Sequence, residues 1–186
     1  MRKVYLNHDG GVDDLVSLYL LLKMEDVELV GVGVIEADCY LLPAVEASKK
    51  IIHKFGSEKD KQLKVASSDS RPVNPFPKEW RMHAFTVDAL PILNEHKPIT
   101  VQDSPLKAHE DLIRALKESE EKVDLVFVGP LTDLARALDQ DPTIEENIGK
   151  LYWMGGTFLD MGNVEDPEHD GTAEWNVYWD PFAAKR

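Results

Sequence analysis

The sequence has little of what secreted, membrane-spanning or nucleic-acid-binding proteins need. Its only cysteine is Cys39, which excludes an intrachain disulfide and a metal site built from several thiolates. No long uncharged apolar run occurs, and no apolar segment of a secretory signal follows Met1. Basic residues are outnumbered, with 21 Lys and Arg against 34 Asp and Glu and a formal net charge of −13. We therefore expect a cytoplasmic protein that binds neither nucleic acid nor membrane, because both partners require a basic face.

The chain does contain a regular alternation of strand-like and helical patterns. Apolar runs at 3–7, 27–35 and 123–128 have the length of strands, and the segments 13–24 and 43–55 show helical spacing of apolar residues. The Val, Leu and Gly content of 27–35 is typical of a strand buried on both faces. For 186 residues, this alternation predicts one α/β domain with a mostly parallel, open, Rossmann-like sheet flanked by helices.

Turn and capping residues predict the remaining elements. We expect a short strand at 63–66, a helix from Ser104 and Pro105 to about 117, a helix at 131–138 and a strand at 150–154. The segment 67–85 is predicted to be a long loop, and loops of this length are usually functional or disordered. Asp180 and Pro181 resemble the start of a helix that has barely one turn before Arg186, so a chain shortened at this side is expected.

The most informative segment is 7–14, with the sequence Asn-His-Asp-Gly-Gly-Val-Asp-Asp, directly after the first predicted strand. Open α/β sheets place their chemistry at such strand ends. Asp9, Asp13 and Asp14 are crowded here and would repel one another unless a cation lies among them. The alternative is that Asp13 or Asp14 only caps the next helix after a glycine turn. Capping accounts for one acid but not for three, so the segment favours a site for a metal and a polyol.

This segment resembles the opening motif of the inosine/uridine-type nucleoside hydrolases, which cleave the N-glycosidic bond of ribonucleosides to ribose and a free base. The family motif is Asp-x-Asp-Pro-Gly-x-Asp-Asp, from which this chain departs at Asn7 and Gly10. Three later segments, 129–133, 154–156 and 173–176, resemble the family's Gly-Pro-Leu-Thr-Asn, Met-Gly-Gly and Ala-Glu-Phe-Asn patterns. All four occur in the family's order over nearly the whole chain, and no unrelated interpretation predicts that order.

The resemblance implies a Ca²⁺ site and a hydrolytic mechanism. Asp9 and Asp14 would bind Ca²⁺ together with the backbone carbonyl of Val128, where the family usually has Thr, and hard oxygen donors suit this ion. Asp9 would also be the general base for a water that the cation activates for attack on the anomeric carbon. Asp13 would accept a hydrogen bond from the ribose 2′-hydroxyl. Nearby carboxylates would stabilise a transition state that resembles an oxocarbenium ion.

The resemblance also implies further substrate contacts. Asn163, Glu174 and Asn176 would hold the 3′- and 5′-hydroxyls of the ribose, although each residue alone would more often be solvated in a loop. Asp38 stands where the family generally has Asn. Either this additional acid tightens metal binding, or the match between this segment and the family is displaced by one residue. His83 resembles a His near the leaving base, and a lone His is more often an ordinary surface residue. The other histidines are expected to be structural or solvated.

Family members extend well beyond the length seen here, and their later part supplies another Asp for the metal and, in many, a His near the base. We therefore expect residues 1–186 to be a single nucleoside hydrolase-like domain that has been shortened. The main hypothesis is a ribonucleoside hydrolase that forms a homodimer or homotetramer, with no prediction of purine or pyrimidine preference. One alternative is an inactive fragment or ribose-binding module. Another is a metal-dependent phosphotransferase, which is disfavoured because no Gly-Lys-Ser or Gly-Lys-Thr step occurs.

Overall fold

A computed structural model describes residues 1–74, 82–95, 98–159, 161–165 and 169–186. The strands in these ranges are β1 (Arg2–His8), β2 (Val27–Val34), β3 (Lys64–Ser67), β4 (Gln102–Asp103), β5 (Val123–Phe127) and β6 (Ile148–Trp153). They form one open sheet with the order β4-β3-β2-β1-β5-β6, and every neighbouring pair is parallel. The predicted α/β class with a mostly parallel open sheet is confirmed.

Helices cover both faces of the sheet. They are α1 (Val12–Lys23), α2 (Leu41–Phe55), α3 (Ala108–Glu118), α4 (Thr132–Gln140), α5 (Trp175–Trp179) and α6 (Pro181–Lys185). Val4 and Leu6 of β1 pack in a buried cluster with α1 and α2, whereas Tyr5 packs in a second cluster with α3 and α4. This alternation follows from the two-residue period of a strand. Within the described part of the chain, no helix has both the length and the apolar character needed to cross a membrane.

The strand order reverses beside β1. From β1 the chain builds β2, β3 and β4 outward on one side, and it then returns to place β5 and β6 on the other side. A crevice forms at such a reversal, outside the carboxyl ends of the two strands that flank it, because the connections leave in opposite directions. Asp9 follows β1 and Val128 follows β5, so both lie at this crevice. The backbone N–H of Val128 donates to the carbonyl of Asn7 at 3.1 Å and joins the two strand ends.

Several element boundaries differ from those predicted. The helix expected from Ser104 begins at Ala108, because Ser104 Oγ instead accepts from the N–H of Leu106 at 3.2 Å in a tight turn. The N–H of Lys107 then donates to the side chain of Glu110 at 2.9 Å, which caps α3. The strand β4 was not predicted, since its two exposed residues carry no periodic signal. In the expected loop 67–85, residues 82–85 form a 3-10 helix and 75–81 lie outside the described residues.

The strand β6 lies at one edge of the sheet beside β5. Leu151 and Tyr152 of β6 are paired with Leu125 and Val126, yet they are 43% and 44% exposed. An edge strand also leaves one row of backbone N–H and C=O groups without a neighbouring strand. This edge therefore combines apolar side chains with backbone groups that no further strand of the described residues pairs.

Gly31→Ala should destabilise the fold. A Cβ at position 31 would lie 2.4 Å from Cε2 of the buried Tyr5 ring, so β2 or the ring must move. We expect the free energy of unfolding in urea to fall by about 1–3 kcal/mol. The matched control is Gly149→Ala on β6, where the close atom is a side-chain oxygen of Asp124 at the sheet edge. Equal losses at the two positions would contradict this account of the core.

Candidate active site

A glycine turn shapes the chain directly after β1. Gly10 has φ +90°, and a Cβ there would lie 2.4 Å from that of Ala44, so the turn requires glycine. The N–H of Gly10 donates to Nδ1 of the buried His8 at 3.1 Å, and the Nε2 of His8 lies 3.0 Å from Oγ of Ser48. Burial lowers the pKa of His8 to about 4, so the ring is neutral at pH 7 and Nε2 carries the proton donated to Ser48. His8 therefore has a structural role.

Asp14 holds this turn from the first turn of α1. Its Oδ2 accepts hydrogen bonds from the N–H groups of Asp9 and Gly11, both at 3.1 Å. The residue is only 1% exposed. Asp14 therefore does cap the start of α1, as the alternative interpretation of this segment expected. Asp13, in contrast, is exposed and lines the crevice. Because Asp14 is fixed by two backbone donors, it is a preorganised carboxylate rather than a flexible surface group.

Asp9 is the second buried carboxyl group of the site. It is 2% exposed, its Oδ2 accepts from the N–H of Asp38 at 3.0 Å, and its carboxyl group contacts that of Asp14. Burial, followed by the nearby carboxylates of Asp14 and Asp38, raises the pKa of Asp9 well above its usual range. Burial also raises the pKa of Asp14 to about 6. Two carboxylates this close and this buried ionise together only when a positive charge compensates them.

The ends of β5 and β6 contribute the opposite wall. The side-chain amide of Asn176 donates to the carbonyl oxygens of Val128 at 3.1 Å and Met154 at 2.9 Å. The indole N–H of Trp153 donates to the carbonyl of Gly129 at 3.1 Å. These bonds fix the backbone carbonyls that follow the two strands. Val128 O therefore has a defined position on the crevice.

The last wall is the start of α5. Glu174 is its N-cap and accepts from the N–H groups of Asn176, Val177 and Gly156 at 3.0–3.1 Å. Asn163 Oδ1 accepts from the N–H of Trp175 at 2.9 Å. Both side chains therefore order the loop around the crevice as well as face it.

The predicted residues converge on one cavity of about 190 Å³. The predicted residues that line it are Asp9, Asp13, Asp14, Asp38, Val128, Asn163, Glu174 and Asn176. His83 does not line it and lies exposed on the 3-10 helix Met82–Phe85. An adjoining space of about 410 Å³ also contacts Asn163 and Glu174. A larger cavity of about 560 Å³ lies beside α3 at the starts of the strands, away from this chemistry.

Four lining residues were not predicted: Gly11, Met154, Trp175 and Trp179. The signal for Trp175 was present, because it stands between Glu174 and Asn176 in a motif that was used only for its polar residues. The rings of Trp175 and Trp179 have centroids 5.4 Å apart and pack together at the cavity wall. They give the polar site an apolar side.

The oxygen atoms around the cavity are possible ligands for a cation. Among the described residues, no group of three or more His, Cys, Asp and Glu side chains is placed to hold a metal ion. Asp9 and Asp14 supply two carboxylates in contact, and Val128 supplies a carbonyl oxygen on the same cavity. This all-oxygen set fits a hard divalent cation, provided that water or substrate completes the shell.

The chain was compared with known proteins. The family model described as inosine-uridine preferring nucleoside hydrolase matches residues 4–186. The chain belongs to this nucleoside hydrolase family. The resemblance inferred from the four sequence motifs is thereby confirmed.

Solved structures of the nucleoside hydrolase family show the same fold. An inosine-uridine preferring nucleoside hydrolase from Bacillus anthracis is 62% identical, with a TM-score of 0.93 over 99% of this chain and 60% of that one. A purine-preferring ribonucleoside hydrolase from Gardnerella vaginalis is 26% identical, with a TM-score of 0.77 over 98% of this chain and 56% of that one.

A curated relative carries a different base preference in its name. The pyrimidine-specific ribonucleoside hydrolase RihB of Escherichia coli strain SE11 is 26% identical over 99% of this chain and 55% of its own length. The chain thus spans a little over half the length of these nucleoside hydrolases. Since the names of its relatives include purine and pyrimidine preferences, family membership does not assign the base.

Asp9→Asn should stabilise the chain in the absence of divalent cations. The amide removes one of two contacting buried carboxyl groups, and its oxygen still accepts from the N–H of Asp38. We expect the free energy of unfolding at pH 7 in EDTA to rise by about 1 kcal/mol. The comparison variant Asp13→Asn removes the same charge from an exposed position beside Asp14 and should raise it less. A loss of stability in Asp9→Asn would contradict the inferred repulsion.

The pKa of Asp14 gives a pH dependence with a defined sign. The folded state keeps this proton until about pH 6, whereas the unfolded state releases it near pH 3.8. The contribution of Asp14 to the free energy of unfolding therefore falls as the pH rises between these values in EDTA. Chemical denaturation across this window, compared with Asp14→Asn, isolates the contribution. A parent chain that gains stability relative to the variant over this range would contradict it.

Proposed function

We propose that the protein to which this chain belongs hydrolyses the N-glycosidic bond of ribonucleosides in a Ca²⁺-dependent reaction. The observation that carries the proposal is the pair of contacting buried carboxyl groups, Asp9 and Asp14, on one cavity with Val128 O. Ca²⁺, when bound, supplies the positive charge that lets both carboxyl groups ionise and that acidifies a nearby water. Asp9, Asp14 and the Val128 carbonyl would hold it.

Asp9 acts as the general base in this proposal. A general base must lie within reach of the water that it deprotonates, and Asp9 lies on the wall of the cavity. The N–H of Asp38 fixes one carboxylate oxygen at 3.0 Å, which leaves the other to accept a proton from water. The water oxygen then forms a bond to C1′ of the ribose while the bond from C1′ to the base nitrogen breaks. The nitrogen leaves with the bonding electron pair and takes a proton from solvent, and Asp9 returns the water proton to solvent. The carboxylates around the cavity stabilise the positive charge that develops on the sugar.

The polar wall would bind the sugar. Both amide hydrogens of Asn176 are donated to backbone carbonyls, so a ribose hydroxyl would donate to its Oδ1. Asp13 is exposed on the cavity and would accept from the 2′-hydroxyl, while Asn163 and Glu174 would contact the 3′- and 5′-hydroxyls. The cavity of about 190 Å³ is smaller than the ~300–1,000 Å³ of typical ligand sites, which suits a pentose better than a whole nucleoside.

Other features of the proposal come from the family resemblance. His83 near the leaving base stays a prediction, as do the cytoplasmic location and the homodimer or homotetramer. We likewise propose that residues 1–186 form a single nucleoside hydrolase-like domain. The base preference is left open, because the relatives include purine-preferring and pyrimidine-specific enzymes.

Ribose release from inosine and uridine tests the proposal. With Ca²⁺ present, we expect the whole protein to release reducing sugar, and EDTA to abolish the release. Asp9→Asn should lower the rate by at least ~10²-fold, since general bases contribute about 10²–10⁴. The control is Asp26→Asn, which removes an exposed carboxylate from the turn before β2 and should leave the rate unchanged.

The same assay separates the alternatives. Binding of ribose without turnover of either nucleoside would favour the ribose-binding module. Release that is equal with Ca²⁺ and with EDTA would contradict the metal-dependent mechanism, and release that survives Asp9→Asn would contradict the assigned base. Release of phosphate from nucleotides would favour the phosphotransferase.

A further inference from the structure

Two departures from the family's motif patterns lie in contact with each other. Asn7 stands where the opening motif has Asp, and Asp133 stands where the Gly-Pro-Leu-Thr-Asn pattern has Asn. In the structure, Nδ2 of Asn7 donates to Oδ2 of Asp133 at 3.1 Å, although the two residues are 126 positions apart. Both side chains are completely buried. The chain therefore has the amide on the strand and the carboxylate on the helix, the reverse of the pattern.

The surroundings explain why the carboxylate is on the helix in this chain. Asp133 lies in the first turn of α4, where the helix dipole favours negative charge. Its second oxygen accepts from the hydroxyl of Ser68 at 2.7 Å, and Ser68 is itself bonded to the carbonyl of Val34 at the end of β2. Asn7 Oδ1, in contrast, is buried and has no hydrogen-bond partner among the residues that the structure describes. A carboxylate at position 7 would place part of its charge on that unsolvated atom.

The pair also joins the two sides of the crevice. Asn7 is two residues before Asp9 on β1, and Asp133 is five residues after Val128 at the start of α4. Space for the amide comes from Gly33 on β2, where a Cβ would lie 2.7 Å from Asn7 Nδ2. This buried side-chain hydrogen bond thus adds a second connection, beside the backbone pairing of β1 and β5, between the segments that carry Asp9 and the Val128 carbonyl.

We infer that Asn7 and Asp133 are a reversed amide–carboxylate pair whose hydrogen bond positions the Asp9 carboxylate relative to the Val128 carbonyl. Neither residue touches the substrate in this assignment, so both are positioning residues. The inference rests on the proposed function for the roles of Asp9 and Val128, but the coupling of the pair can be measured without any ligand.

Exchange of the two residues tests the coupling. The four proteins are the parent chain, Asn7→Asp, Asp133→Asn and the double variant that carries both. Asn7→Asp places two buried carboxyl groups in contact, and we expect the unfolding equilibrium constant in urea to rise at least ~10-fold. Asp133→Asn, added to Asn7→Asp, restores one donor and one acceptor and should recover part of that loss, because the carboxylate at position 7 still has one oxygen in the place of the unpartnered Asn7 Oδ1. If the effects of the two substitutions simply multiply, the residues are independent and the inference is wrong.

Ca²⁺ titration of the unfolding midpoint tests the positioning role. An added carboxylate near Asp9 would tighten Ca²⁺ binding if only charge mattered. The positioning role predicts the opposite: Asn7→Asp should need a higher Ca²⁺ concentration than the parent chain to reach half of the full shift in the unfolding midpoint. The double variant, which has the same net charge as the parent, should return to the parent's value. The control Asp139→Asn removes an exposed carboxylate from the same helix and should leave this concentration unchanged.

The outcomes distinguish this inference from the proposed function. A parent chain whose unfolding midpoint does not respond to Ca²⁺ contradicts the metal site, while the four-protein cycle still decides whether the pair is coupled. Coupling with tighter Ca²⁺ binding in Asn7→Asp overturns the positioning role. If Asn7→Asp does not fold, a folded double variant supports the pair, and failure of both to fold overturns it.

Discussion

The contact between two carboxyl groups at the reversal of strand order is the constraint on which the site depends. A crevice lies beyond the carboxyl ends of the paired strands β1 and β5, and this chain places Asp9 and Asp14 there with almost no solvent to screen them. Backbone N–H groups hold both side chains in place, so they do not move apart to lower the repulsion. The neighbouring glycine turn, the neutral His8 and the Asn176 bonds all serve to keep this geometry.

Two contacting buried carboxyl groups lower the free energy of unfolding of the chain. Two close, buried carboxyl groups have raised pKa values because neither is well solvated. Burial also raises the pKa of Asp133, but this carboxyl group accepts from Asn7 and Ser68 and lies at a helix start. The candidate site differs from it in that two carboxyl groups are in contact.

Sequence patterns predicted much of the fold and of the site for identifiable reasons. Strand and helix periods are local, so β1, β2 and β5 were found almost to the residue, whereas the two-residue β4 has no period to find. The Asp residues after β1 were found because crowded charges are visible in the sequence. Long-range contacts were not visible: nothing local shows that Asn7 meets Asp133 or that Trp179 lines the cavity. The start of α3 was misplaced because Ser104 forms a turn instead of a cap.

The open edge at β6 has a consequence for how this architecture can vary. Its apolar side chains and unpaired backbone would accept an additional strand in the existing direction. Such an extension would grow away from β1 and β5, so it would leave the distance between Asp9 and Val128 unchanged. The fold thus separates the strands whose spacing sets the site from a margin at which the sheet can be widened.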